Sequence, residues 1–160
     1  MNTVRIAHIA DIHFCEKYRQ VALECLGYAR DAAASMDAQV AIWAGDIFDS
    51  SVTLGAKDLT NDMNTELLAW ARRMEVVGVE GNHDIFGSLE HFNHLRGDCA
   101  IRFARYPDVH IAQGAQFLLL PFPRRAWIAQ QAASLEDAAA LTVDAMRTIL
   151  AGMFASTIPD

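Results

Sequence analysis

The stretch Ala41-Ile42-Trp43-Ala44-Gly45-Asp46-Ile47-Phe48-Asp49 decides the fold. An apolar run stops at a glycine, and two carboxylates follow, three positions apart. A short apolar run bounded by a turn signal reads as a buried strand. With Gln39–Ala44 as that strand, Asp46 stands just past its carboxyl end, where ligand sites form in parallel α/β sheets. The pattern repeats on either side. Val4–Ala10 is followed by Asp11-Ile12-His13, and Glu75–Val79 by Gly81-Asn82-His83-Asp84. Three strand ends thus carry carboxylate, amide and imidazole donors to one sheet edge, as a metal site requires.

The segments between these strands read as helices. Tyr18–Met36 is alanine-rich, with Val21, Leu23, Cys25, Leu26, Ala29 and Ala33 giving an imperfect apolar stripe. After a polar loop running to about Lys57, Leu59–Arg73 is anchored by Leu67, Leu68 and Trp70. The βαβαβ order predicts parallel strands with right-handed crossovers. Beyond it, Leu89–Leu95 reads as a short helix ended by Gly97. Ile101–Ala104, Val109–Ala112 and Gln116–Leu120 are closely spaced strands, expected to be antiparallel. Pro121-Phe122-Pro123 breaks the pattern, and helices follow over Ala126–Ala133 and Leu135–Met153, the second with Leu141, Met146, Ile149 and Leu150 as its apolar face. With no repeat, low-complexity tract or linker in view, residues 1–160 read as one domain, or part of one.

A chain of 160 residues suits one domain and buries about 70% of its unfolded surface. Its 52% hydrophobic and 21% charged residues exclude a disordered polypeptide. A net charge of −7 disfavours phosphate backbones as partners unless bound cations reverse the sign locally. Cys15, Cys25 and Cys99 lack Cys-x-x-Cys spacing and cannot all pair, which points to a reducing cytoplasm. No apolar run approaches the ~20 residues of a membrane span, so no membrane association is expected.

Each motif has a plain reading beside the chemical one. Asp11 and His13, two apart on an extended segment, would point the same way and reach one ion. Carboxylate plus imidazole suits Mn²⁺, Fe²⁺ or Zn²⁺ better than Ca²⁺; alone, the pair reads equally as an Asx turn with a solvated histidine. Asp46 has two oxygens and can bridge two cations, or simply cap its turn. Asp49 reads as a group that orients a ligand or a water. Asn82 offers a neutral oxygen donor, leaving His83 free of the metal as a general acid or as a donor to a developing oxyanion. Asp84 could hold the His83 tautomer, like the third member of a triad. His91 and His94, and the pair Arg124 and Arg125, read more simply as surface.

Asp11-x-His13, Gly45-Asp46-x-x-Asp49 and Gly81-Asn82-His83-Asp84, in this order, resemble the first three motifs of the calcineurin-like metallophosphoesterases. His8 three residues before Asp11, the run Ala44-Gly45-Asp46-Ile47-Phe48-Asp49, and Leu120-Pro121-Phe122-Pro123-Arg124-Arg125 resemble the SbcD-type DNA repair exonuclease subunits within them. The resemblance implies an α/β sandwich of mixed β-sheets flanked by helices. It also implies two divalent metal ions, Mn²⁺ foremost, with Fe²⁺, Zn²⁺ or Mg²⁺ as alternatives. Asp11 and His13 would hold one ion, Asp46 would bridge both, Asn82 would hold the second, and His83 would assist phosphoester cleavage. DNA would be the substrate and an SbcC-like ATPase the partner. A phosphomonoesterase, a cyclic-nucleotide phosphodiesterase and a non-catalytic partner-binding domain are the competing readings.

The family pattern continues with a lone histidine and a Gly-His-x-His motif, but the last histidine here is His110. The expectation is therefore an N-terminal portion of a longer sandwich, incomplete at its C-terminus, with weak metal binding, poor turnover or none, and sheet surface left open to self-association into a homo-oligomer.

Overall fold

The structure, a computed structural model, describes residues 3–49, 57–124 and 138–157. The loop tip over 50–56, Arg125, the helix expected over 126–133 and the side chain of Leu141 lie outside the described residues. Strands β1 (Ile6–Ile9), β2 (Val40–Trp43), β3 (Glu75–Val79) and β4 (Ile101–Ala104) form one sheet in the order β1-β2-β3-β4. All three pairings are parallel. Helices α1 (Arg19–Ser35) and α2 (Lys57–Ala71) make the two crossovers, as the βαβαβ order requires. A 3₁₀ turn over Glu16–Tyr18 leads into α1, and another, Glu90–His94, replaces the expected short helix.

One expectation is corrected. β4 does not run antiparallel: Val76 pairs with Ile101 and Val79 with Ala104 in parallel register. The spacing from β4 onward misled, because the connection that sets direction lies before β4. The segment from Glu80 to Ala100 is long enough for a crossover, and Leu89 and Phe92, both fully buried, pin it to the sheet. The antiparallel expectation holds for β5 (Asp108–Ala112) and β6 (Ala115–Leu119), which form a two-stranded sheet of their own. Gln113 and Gly114 make its turn, both with positive φ, as tight hairpins require.

Alternation along the strands separates two cores. Ala41, Trp43, Val76 and Phe103 face α1 and α2, where Trp43 meets Trp70 edge to face at 5.8 Å. Val40, Val77 and Ala104 face the other way, onto Ala112 and Leu119 of the hairpin. The layers are thus helices, parallel sheet and hairpin, a mixed α/β sandwich. A third helix, α3 (Ala138–Ala155), buries Met153 beside β5. β1 and β4 are the sheet edges among the described residues, and Ile6 on β1 is 46% exposed. No helix among the described residues is long and apolar enough to cross a membrane.

Two ion pairs tie α1 to α2: Arg19 to Asp62 at 2.5 Å and Arg30 to Glu66 at 2.6 Å. Burial pushes the Glu66 carboxyl above its ordinary range, and the Arg30 charge offsets only part of this. Below the unfolded-state value both states are protonated. As pH rises through the folded value the native state holds the extra proton, so stability falls with pH. Glu66→Gln abolishes that contribution. Its stability relative to the parent chain, from urea titrations between about pH 4 and 7, is expected to improve as pH rises; a constant difference would contradict this.

Candidate metal centre

The site is built where the loops after β1, β2 and β3 leave the sheet. Pairing between β1 and β2 does not stop at the strand ends. The Ala44 N–H donates to Ile9 O (2.7 Å), Asp11 N–H to Gly45 O (3.2 Å), His13 N–H to Asp46 O (2.9 Å) and Phe14 N–H to Ile47 O (2.8 Å). A parallel bridge between Phe14 and Phe48 ends the run, with both rings buried. The first two loops are thus locked together by backbone bonds before any ligand arrives.

The third loop joins through two glycines. A Cβ on Gly45 would lie 2.8 Å from Gly81 Cα, and one on Gly81 would overlap the Asp46 carboxylate and amide. Side chains at either position would therefore hold the loops apart. Closed up, they allow the His83 N–H to donate to Asp46 Oδ1 at 2.8 Å. The Asp46 carboxylate, only 8% exposed, is oriented by that bond.

Asp11, His13 and Asp46 come together: one donor atom from each lies within 4.8 Å of the others. Ligands about 2.0–2.2 Å from a common ion stand about 3–4.3 Å apart, so the three fit one divalent cation after small rotamer adjustments. Their burial is graded: the Asp11 side chain is 73% exposed, His13 39%, and Asp46 lies beneath. The site faces solvent.

Backbone conformation brings them there by a route other than the extended geometry expected. Asp11, His13 and Asp46 all have positive φ, at 55°, 47° and 52°. Each costs about 1–2 kcal/mol relative to ordinary backbone. Left-handed non-glycine residues concentrate at functional sites because a ligand geometry is held against local preference.

The structure places the remaining candidates as follows. Asn82 is exposed on the third loop, next to the His83 amide that binds Asp46. The His83 ring stands edge-on to the His13 ring, with centroids 4.7 Å apart. Its Nδ1 is buried without a hydrogen-bond partner among the described residues. Asp49 follows Phe48 and donates its backbone N–H to Phe14 O at 3.3 Å.

Asp84 differs from the triad reading. Its carboxylate accepts the N–H of Phe48 (3.0 Å) and of Gly81 (2.8 Å), joining the second loop to the third instead of holding the His83 ring. It is 1% exposed; burial pushes its carboxyl up while the two amides pull it back. An aspartate between two converging backbones finds amide donors closer than an imidazole, and carboxylate–amide bonds are strong.

Glu80 was not singled out in the sequence, and Arg124 was read there as surface. Glu80, 2% exposed, accepts the Gly87 N–H at 2.7 Å, and burial pushes its carboxyl up. Arg124 donates to the carbonyl oxygens of Gly81 (3.1 Å) and Asp84 instead of facing solvent. A charged residue at the end of an apolar strand was the available signal for Glu80; nothing local marks Arg124.

A carboxylate–imidazole group at the carboxyl edge of a parallel sheet marks an α/β protein with a candidate metal site. Family comparison makes the class specific: the model of the calcineurin-like phosphoesterases matches residues 4–143. The chain belongs to that family, and membership implies metal-dependent phosphoester hydrolysis. No curated protein matches the chain.

Proposed function

We propose that this chain is a metal-dependent phosphodiesterase whose substrate is DNA, of the SbcD type. The observation that carries the reading is the cluster of Asp11, His13 and Asp46 on a rim where Asp11 is 73% exposed. An open rim admits an internal phosphodiester of a long strand, whereas a small monoester is held better in a cleft that buries most of it. The motif resemblances of the Ala-Gly-Asp-Ile-Phe-Asp and Leu-Pro-Phe-Pro-Arg-Arg runs support the same choice.

Asp11, His13 and Asp46 would hold one cation, and Asp46 with Asn82 a second, with Mn²⁺ the proposed metal. Divalent cations bound there supply Lewis acidity and neutralise phosphoryl charge, which an acidic protein of net charge −7 otherwise lacks. The protein's own contribution is positional. Asp46 is oriented by the His83 amide, and the His83 ring, edge-on to His13, is the proposed donor of a proton to a leaving oxygen or of a hydrogen bond to a developing oxyanion. An SbcC-like ATPase and a second copy of the chain are the proposed partners, supported by exposed apolar residues on α1, Val21 at 60% and Tyr28 at 80%. The proposed setting is the cytoplasm, in keeping with three free cysteines.

The test is hydrolysis of linear duplex DNA, bis-nitrophenyl phosphate and nitrophenyl phosphate with Mn²⁺ and after chelation. Cleavage of the two diesters, abolished by chelator and by Asp46→Asn, is expected. Monoester hydrolysis alone would move the assignment to a phosphomonoesterase. Mn²⁺ binding with no hydrolysis of any of the three would favour a non-catalytic domain.

A further inference from the structure

The segment after β6 reads Leu120-Pro121-Phe122-Pro123-Arg124, and it lies along the loop that carries Asn82 and His83. Two prolines leave only one backbone donor between them, the Phe122 N–H, and it donates to Glu80 O at 2.8 Å. Each proline also fixes its own φ, so the segment is stiff and extended. It delivers the Arg124 guanidinium to the next carbonyls of the same loop. One terminal nitrogen donates to Gly81 O at 3.1 Å and to Asp84 O.

The other polar groups of that loop are satisfied from different directions. Gly81 N–H goes to Asp84 Oδ2 and His83 N–H to Asp46 Oδ1, at 2.8 Å each. The carboxylates thus hold the loop's amides and the strap from β6 holds its carbonyls. Arg124 reaches both ends of the Gly81–Asp84 turn from outside it, across from the Gly81–Asp84 bond that closes the turn from within. It also places a positive charge near Glu80, which helps to keep that buried carboxyl ionised.

We infer that Arg124 is a positioning residue: by holding Gly81 O and Asp84 O it fixes the presentation of Asn82 and His83 at the metal site. The inference rests on the proposed phosphoesterase reading for its activity readout only. It does not touch substrate in this role, and it makes the β5–β6 hairpin part of the site's support.

The experiment compares Arg124→Met, which keeps the stem without the donors, and Arg124→Lys, which restores a donor at shorter reach. Amide exchange in the metal-free protein reads the loop directly. In Arg124→Met the Gly81 and His83 amides are expected to exchange at least about tenfold faster, the scale set by losing charged hydrogen bonds. The Ile42 and Val77 amides in the sheet should keep their rates. Arg124→Lys should recover part of the protection. In Mn²⁺ titrations the weaker ion should lose affinity and the tighter one keep it, and any diester hydrolysis should fall in kcat more than in KM.

Uniformly faster exchange across sheet and loop would overturn the inference in favour of a general stability role. Unchanged exchange at Gly81 and His83 would overturn it outright. If the parent chain hydrolyses nothing but the loop amides respond, the positioning role stands and the phosphoesterase reading fails.

Discussion

Asp46→Asn is expected to lower Mn²⁺ affinity by about a hundredfold or more, and to take metal-dependent hydrolysis to background, while leaving the metal-free protein folded. Hundredfold is the upper end of losses seen when a residue merely supporting a ligand is removed; Asp46 is proposed as the ligand itself. The substitution is chosen for its backbone. Asp46 has φ of 52°, and asparagine is among the few residues that populate that region readily. Its side-chain oxygen can still accept the His83 N–H now on Oδ1. What it loses is one negative charge and the second oxygen donor.

Relief of repulsion also favours the variant when no metal is present. The Asp46 charge pushes the Asp84 carboxyl up, so the two carboxylates oppose each other. Thermal unfolding in chelator should therefore show a Tm for Asp46→Asn equal to or above that of the parent. Mn²⁺ should raise the parent's Tm through preferential binding to the native state, and leave the variant's unmoved. Asp46→Ala is a poorer probe, since alanine carries a penalty of about 1–2 kcal/mol in left-handed backbone. A variant that kept Mn²⁺ affinity within about threefold of the parent would remove Asp46 from the proposed metal site.

This pair of effects shows what the sequence could say and what it could not. Asp46, Asp11 and His13 were legible because each sits just after an apolar run, and a parallel sheet sends all such ends to one edge. Their common left-handed backbone was not legible, since aspartate and histidine tolerate that region but occupy others far more often, and spacing does not tell which. Asp84 was identified as a supporting residue, but its partners turned out to be amides of Phe48 and Gly81. Composition and spacing name a carboxylate without saying which of several nearby donors it meets. Arg124 acts on a loop about forty residues earlier, at Gly81 and Asp84, and only the hairpin's fold over the sheet creates that contact. β4 failed for a related reason: direction is fixed by the path from Glu80 to Ala100, whose 3₁₀ turn has no strong periodic signature.

Gly81→Ala is the second large effect, and its cause is space alone. Gly81 is not among the glycines with positive φ, so alanine suffers no conformational penalty there. Its Cβ, however, would overlap Asp46 Oδ1 and N and stand 2.7 Å from Asp46 Cγ. None of these atoms is the far end of a flexible side chain; two belong to a carboxylate already fixed by His83. The loop must retreat, which strains the bonds that tie it to the second loop, His83 N–H to Asp46 and Phe48 N–H to Asp84, and separates Asn82 from Asp46. Overpacking of this kind costs about 1–3 kcal/mol, and a weakened hydrogen bond from Phe48 to the buried Asp84 carboxylate adds to it. We expect the top of that range in urea unfolding, together with a fall of at least about tenfold in Mn²⁺ affinity. Gly27→Ala supplies the contrast. Gly27 lies inside α1, where a Cβ would meet only Arg30 at 3.6 Å. Alanine there should stabilise by about 0.5–1 kcal/mol, because helical glycine costs backbone entropy. Opposite signs for one chemical change follow if close approach of Gly45, Asp46 and Gly81 builds the site. A Gly81→Ala variant as stable as its parent, with metal binding intact, would mean that the third loop can stand off from Asp46 and that Asn82 and His83 take no fixed part in it.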